Sequence, residues 1–232
     1  MTLARVRAAL LIALALASAC TRDHKQPAPA EKPKLLLLTS LPLVFGEGFS
    51  LDGGSPALSA LHERYDVVPI SVTSPAELRK GHFLLMAQPL AQTAENLVAL
   101  DDWVRGGGRL MLLADPLLEW PSERRLTDPL RPPPMFMDTG LLQHWGLRLD
   151  APGKRGPQTR QLGARTVLTV SPGSLAGSCQ ISVDRLIAEC AVGKGRATIV
   201  ADADFLDVDR LDGPADDNLA GLLAELAKLA RK

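Results

Sequence analysis

Continuous apolar runs and helical apolar stripes alternate along most of this chain. Lys34 to Leu41 (KLLLLTSL) is an unbroken apolar run after Pro33, the pattern of a strand covered on both faces. Ser55-Pro56 reads as an N-cap with a first-turn proline, opening a helix through Arg64 with Leu58 and Leu61 on one face. Tyr65 to Ser71 predicts a second strand, Ser74-Pro75 a short helical turn, and His82 to Ala87 a third strand closed by Gln88-Pro89. Thr93 to Arg105 is the clearest helix, with Leu97, Leu100 and Val104 as its stripe and Gly106-Gly107-Gly108 as its stop. Arg109 to Ala114 predicts a fourth strand. Strands separated by helices of this length need right-handed crossovers, so the pattern predicts an α/β domain over residues 34–232 with a doubly wound, mostly parallel sheet.

The middle of the chain is less regular. Asp115 to Pro134 holds six prolines, too many for a helix interior, and reads as a long ordered loop or flap. Met137 to Trp145 predicts a helix ended by Gly146, and Thr166 to Val170 a short strand. Gly195 to Asp202 (GRATIVAD) is a second buried strand, and Asp217 to Arg231 an amphipathic closing helix carrying Leu219, Leu222, Leu226 and Leu229.

Ahead of the domain the pattern changes twice. Arg5 and Arg7 precede the apolar run Ala8 to Ala19, too short to span hydrocarbon that needs about 20 residues. It ends in Leu16-Ala17-Ser18-Ala19-Cys20, which resembles the lipobox of bacterial lipoproteins. The resemblance implies a signal peptide over residues 1–19, lipidation of Cys20 and a chain held at a membrane by its lipid anchor, facing the periplasm. Residues 20–33, rich in proline and charge, read as a tether.

Composition narrows the partners. With 26 basic and 26 acidic side chains, one Tyr, three Trp and five Phe, the chain offers neither a cationic field for phosphates nor many rings for base stacking. Nucleic acid is therefore excluded as a partner. Besides Cys20 there are two cysteines, Cys179 and Cys190. A hairpin turning at Asp184-Arg185 sets them opposite each other, which predicts a cross-strand disulfide. Two cysteines without neighbouring histidines leave a four-ligand metal site unmet, and the four histidines share no metal-ligand spacing, so no metal and no cofactor is expected.

Candidate chemistry is sparse. No Gly-x-Ser-x-Gly elbow occurs, and Gly46-x-Gly48 after the first strand lacks the third glycine of a dinucleotide fingerprint, Leu51 standing in its place. The strongest signal is acidic residues at strand ends: Asp115 after the fourth strand, and Asp202 and Asp204 after GRATIVA. With Ser40 at the end of the first strand they form the candidate ligand or partner site, since open α/β sheets bind at the carboxyl ends of their strands. Capping of the next turn is the structural alternative.

Several segments together resemble a known family: Ser55-Pro56-Ala57-Leu58, Leu100-Asp101-Asp102-Trp103-Val104-Arg105-Gly106-Gly107-Gly108-Arg109-Leu110, and Gly193-Lys194-Gly195-Arg196 leading to Asp202-Ala203-Asp204-Phe205 and Asp217-Asn218. They look like the gliding-motility-type auxiliary domain of uncharacterised ABC transport systems. The resemblance implies a flavodoxin-like, class I glutamine amidotransferase-like fold with a β-hairpin insertion, and a non-catalytic envelope lipoprotein that binds a ligand or partner beside an ABC transporter's permease or ATPase. No cysteine follows a parallel strand, so glutaminase activity is not implied. The competing expectation is a metal-assisted hydrolase of envelope material using the strand-end carboxylates.

Overall fold

The computed structural model describes residues 31–44, 54–125, 127–211 and 215–231, residue 216 by its backbone alone. Cys20, the apolar leader, all but the last three residues of the tether and Gly46-x-Gly48 lie outside the described residues. All elements below belong to the unit Lys32–Lys232.

The apolar runs become the centre of a seven-stranded sheet. Strand β1 (Lys34–Thr39) pairs in parallel with β2 (Asp66–Pro69) on one side and β3 (Phe83–Ala87) on the other. Strand β4 (Arg109–Leu113) follows β3 in parallel, and β11 (Gly195–Val200) follows β4. Leu35 to Leu38, Leu84, Leu85, Leu110 to Leu113, Ile199 and Val200 are all buried, as expected of strands covered on both faces.

The helices start where the sequence signals them. Ser55, Ser74 and Thr93 each accept a backbone N–H of the first turn, opening α1 (Pro56–Arg64), α2 (Pro75–Leu78) and α3 (Ala94–Arg105). The stripe from Met137 shortens to α4 (Leu141–His144), because Gly140 turns the backbone left-handed at φ 104° and Asp138 caps from outside by accepting the N–H groups of Gly140 and Leu142. The closing helix α5 (Asp216–Arg231) packs against α1 and β4, burying Leu222, Leu226 and Leu229.

The expected doubly wound, mostly parallel sheet with a hairpin insertion is corrected. The sheet is mixed. Gly193, at φ 59°, turns the chain so that β10 (Ile187–Val192) runs antiparallel to β11, and β9 (Gln180–Ile181) pairs antiparallel with β10. The strand order is β2-β1-β3-β4-β11-β10-β9, so the hairpin continues the sheet instead of standing apart from it. Two further antiparallel pairs form outside it: β5 (Leu147–Asp150) with β8 (Ser174–Gly177), and β6 (Pro157–Leu162) with β7 (Arg165–Val170). An apolar run says that a strand is covered; it carries no record of the direction in which its neighbour runs.

Candidate functional site

Parallel register brings the three aspartates to one edge. Leu113 of β4 lies beside Val200 of β11, and Asp115 and Asp202 each follow two residues later. A short 3-10 turn (Asp204–Leu206) then adds Asp204. Asp115 and Asp202 are fully buried and Asp204 nearly so.

Backbone N–H groups, not cations, serve these carboxyl groups. Asp115 accepts the N–H of Leu117 through Oδ1 (2.8 Å) and that of Ala203 through Oδ2 (2.9 Å). Asp204 Oδ2 accepts from Glu119 N (2.9 Å), and Asp202 Oδ1 from Phe205 N (3.1 Å). The Thr169 hydroxyl lies beside Asp202 and pulls its carboxyl back toward ionisation, without outweighing burial. Burial dominates and drives all three toward the protonated form. Asp115 is pushed up to about 6 against the pull of its N–H donors. Asp204 is pushed up to about 8, with Asp115 adding repulsion. Asp202, repelled by both neighbours, lies well above the ordinary carboxylate range.

The edge fastens the proline-rich segment. Gln88, just past β3, accepts Asp115 N through Oε1 (3.0 Å) and donates through Nε2 to the carbonyls of Asp115 and Pro133 (both 3.2 Å). Leu118 N donates to Pro134 O, and Phe136 N to Asp115 O. Ser40 does not touch the aspartates; its hydroxyl donates to the Gln88 carbonyl, joining β1 to the same clasp. Gln88 holds φ 43°, a left-handed conformation that a non-glycine residue adopts at a cost. Nothing in its sequence context beyond the following proline marked this role.

A cleft missed by sequence reasoning lies next to this edge. It holds about 240 Å³ and is lined in part by Ser55, Trp120, Asp207, Asp209 and Arg210. Asp207 is half-buried, and burial raises its carboxyl, with Arg210 opposing and Asp209 reinforcing the shift. Asp209 is exposed. Arg210 Nη1 donates to Pro121 O (3.4 Å), tying this loop to the residue after Trp120. The signal was Asp207-Val208-Asp209-Arg210, acidic positions two apart beyond the last strand.

Elsewhere, Cys179 and Cys190 form a disulfide with Cα atoms 4.9 Å apart, bridging β10 to the residue before β9. Asn218, read as part of a helix start, is buried; it donates to the carbonyls of Leu168 and Phe205 and accepts from Leu168 N. Among the described residues no group of three or more His, Cys, Asp and Glu side chains is arranged to hold a metal ion.

No family model and no curated protein matches this chain. Solved structures do. It is similar to the exo-β-1,4-mannosidase Op5Man5 from Opitutaceae bacterium strain TAV5 (TM-score 0.51, 16% identity, 86% of this chain and 36% of that one). A similar match is the β-galactosidase from Bacillus circulans sp. alkalophilus (TM-score 0.50, 13% identity, 85% and 31%). A third is the cytoplasmic protein STM3548 from Salmonella typhimurium (TM-score 0.50, 10% identity, 84% and 98%). This chain spans about a third of the length of those two glycosidases. At these identities the likeness is one of fold.

These neighbours overturn the resemblance read from the sequence. They are glycosidases and a Salmonella protein, not amidotransferase-like domains, so the flavodoxin-like, amidotransferase-like assignment and the ABC auxiliary role are both withdrawn. The short glycine and aspartate motifs that suggested them have local explanations here. Gly106 to Gly108 ends α3, Gly193 turns β10 into β11, and the aspartates accept backbone N–H groups.

Proposed function

We propose that this protein is a hydrolase acting on glycans, with its site in the cleft between Trp120 and the Asp207–Arg210 loop. The carrying observation is that one cleft holds an indole, a half-buried carboxyl group and an exposed carboxylate. Glycoside hydrolysis uses that set: one carboxylic acid protonates the leaving oxygen while a second carboxylate activates water or attacks the anomeric carbon. Asp207, kept toward its protonated form by burial, is the acid; Asp209 is the carboxylate; Trp120 is the face on which a sugar ring lies. Asp115, Asp202 and Asp204 are positioning groups that hold the Glu119-Trp120 segment and the 3-10 turn leading to Asp207. The shared fold with a mannosidase and a β-galactosidase supports the class of substrate.

The test is hydrolysis of 4-nitrophenyl β-mannoside and β-galactoside and of β-linked oligosaccharides by the purified protein. Turnover is expected, falling about 10²-fold or more in Asp207→Asn and Asp209→Asn while the circular dichroism spectrum is unchanged. Failure to release product from any of these glycosides overturns the assignment.

We further propose that the protein belongs to the cell envelope, anchored through a lipidated Cys20. The Cys179–Cys190 disulfide supports export, because such bonds persist outside the reducing cytoplasm. Wild-type protein should fractionate with membranes and Cys20→Ser should accumulate as a precursor; a soluble, correctly cleaved Cys20→Ser product would remove the lipid anchor from the account.

A further inference from the structure

A second cavity, of about 290 Å³, opens at the carboxyl ends of β1 and β2. We propose that it binds a small amphiphilic carboxylate, a straight apolar chain ending in one anionic group. Its position is the first argument. β1 connects outward to β2 while β3 connects the other way to β4, so the loops after these neighbouring strands diverge, and Leu41 and Leu90 on those loops line the crevice between them.

The lining is the second. Leu41 and Ile70 make a buried apolar floor, while Leu90 and Leu130 stand at the mouth 49% and 67% exposed. Large apolar side chains left to water around a cavity gain most when an apolar occupant covers them. The polar groups then fix the head group. Thr39 Oγ1 donates to Ala87 O (2.9 Å), and the Ser40 hydroxyl donates to Gln88 O, so both hydroxyl protons are engaged within the fold. What remains is Arg124, the cationic side chain among the described lining residues. Its ion pair with Asp128 is long, 3.4 Å between Nη1 and Oδ2, and both side chains are about 30% exposed. A bound carboxylate can therefore replace Asp128 at the guanidinium in a two-pronged pairing that a single exposed contact does not match.

The third argument is that the wall is preformed. The segment carrying Arg124 and Leu130 is tied at both feet, through Asp115 to Gln88 and Phe136, and through Pro133 to Gln88. Within it the Arg131 guanidinium donates to the carbonyls of Ser122 and Arg124, fixing the bend that carries Arg124 to the cavity. Little ordering is left to be done on binding.

Calorimetric titration of the purified protein with octanoate and with 1-octanol tests the proposal. Octanoate should bind saturably at one site, 1-octanol about tenfold or more weakly, and Arg124→Gln should remove that preference. Asp128→Asn, which frees the guanidinium, should bind octanoate more tightly. Equal affinity for octanoate and octanol, no change in Arg124→Gln, or no saturable binding at millimolar octanoate would each overturn it. None of these outcomes depends on glycoside hydrolysis, which resides in the Trp120 cleft.

Discussion

The two ends of the parallel strands treat the same residue type in opposite ways. At the carboxyl end, Asp115, Asp202 and Asp204 are buried beside one another, are met by backbone N–H groups and the Thr169 hydroxyl in place of cations, and are all driven toward the protonated form. At the other end, where α3 leads into β4, Asp101 receives Arg105 Nε (2.6 Å) and Trp145 Nε1 (2.7 Å), with His144 Nε2 at 3.5 Å. Burial opposes ionisation there too, but these donors and the charges of Arg105 and His144 outweigh it, and Asp101 falls below the usual carboxylate range. Asp150, near Pro116 on the carboxyl side, is also lowered, because Arg148 and Arg185 meet it, so the cation and not the position decides. One end drives its carboxyl groups toward the protonated form; at the other, Asp101 ties α3 to Trp145 after α4 as an ionised group. A carboxylate's role is thus read from whether a cation or a row of amides meets it.

The packing at the amino end is rigid, and breaking it should have the largest effect. A Cβ on Gly195 would collide with the carbonyl oxygens of Val104 and Gly108, which belong to the last turn of α3 and the entry to β4. Gly195→Ala should lose on the order of 3 kcal/mol in urea unfolding. A change below about 0.5 kcal/mol would show that this junction yields. Removing the Cys179–Cys190 bridge comes next: the double Ser variant should lose about 2–3 kcal/mol, the worth of so short a closed loop. Wild-type protein unfolded with reductant should show the same decrement, and unchanged denaturation midpoints would contradict it.

The pH profile sharpens the comparison directly. The carboxyl-end aspartates have folded values above the ordinary 3.8, so the unfolded chain releases their protons first. Their contribution is full below about 3.8 and is lost as pH rises through about 6 and about 8. Asp101 and Asp150 act with the opposite sign: their contribution is present above 3.8 and lost as pH falls below it. Stability should therefore peak on the mildly acidic side and decline toward pH 9, each titrating group adding at most about 1.4 kcal/mol per pH unit. Stability that is flat or rises from pH 5 to 9 would refute the buried-acid description.

The smallest effects separate the two ends most cleanly. Asp101→Asn removes a charge that Arg105 needs, and should cost about 1–2 kcal/mol at neutral pH. Asp202→Asn replaces an acid that burial drives toward its protonated form by a group of the same shape, so it should lie within about 0.5 kcal/mol of wild type at pH 7 and flatten the alkaline decline. Equal losses in the two variants would erase the distinction.

Much of the secondary structure was legible in the chain. Doubly covered strands announce themselves as KLLLLT, FLLMA, RLMLL and GRATIV, and Ser55, Ser74 and Thr93 cap the helices that their side chains predict. The disulfide was legible as well, because hairpin symmetry is arithmetic on positions. The mixed sheet was not, because Ile187–Val192 would carry the same apolar pattern beside a parallel neighbour.

For the candidate site the division is similar. Asp115, Asp202 and Asp204 are marked by standing at the ends of apolar runs, and a shared parallel register sets two of them level. That they accept backbone N–H groups in a buried layer, that Gln88 clasps the proline-rich segment, and that Trp120 meets Asp207 and Asp209 across a cleft were decided only by the tertiary structure. Periodicity and capping act over a few residues and are written in local sequence. A carboxyl group's ionisation and a cleft's walls depend on residues about ninety positions apart, and only the packed fold brings those to each other.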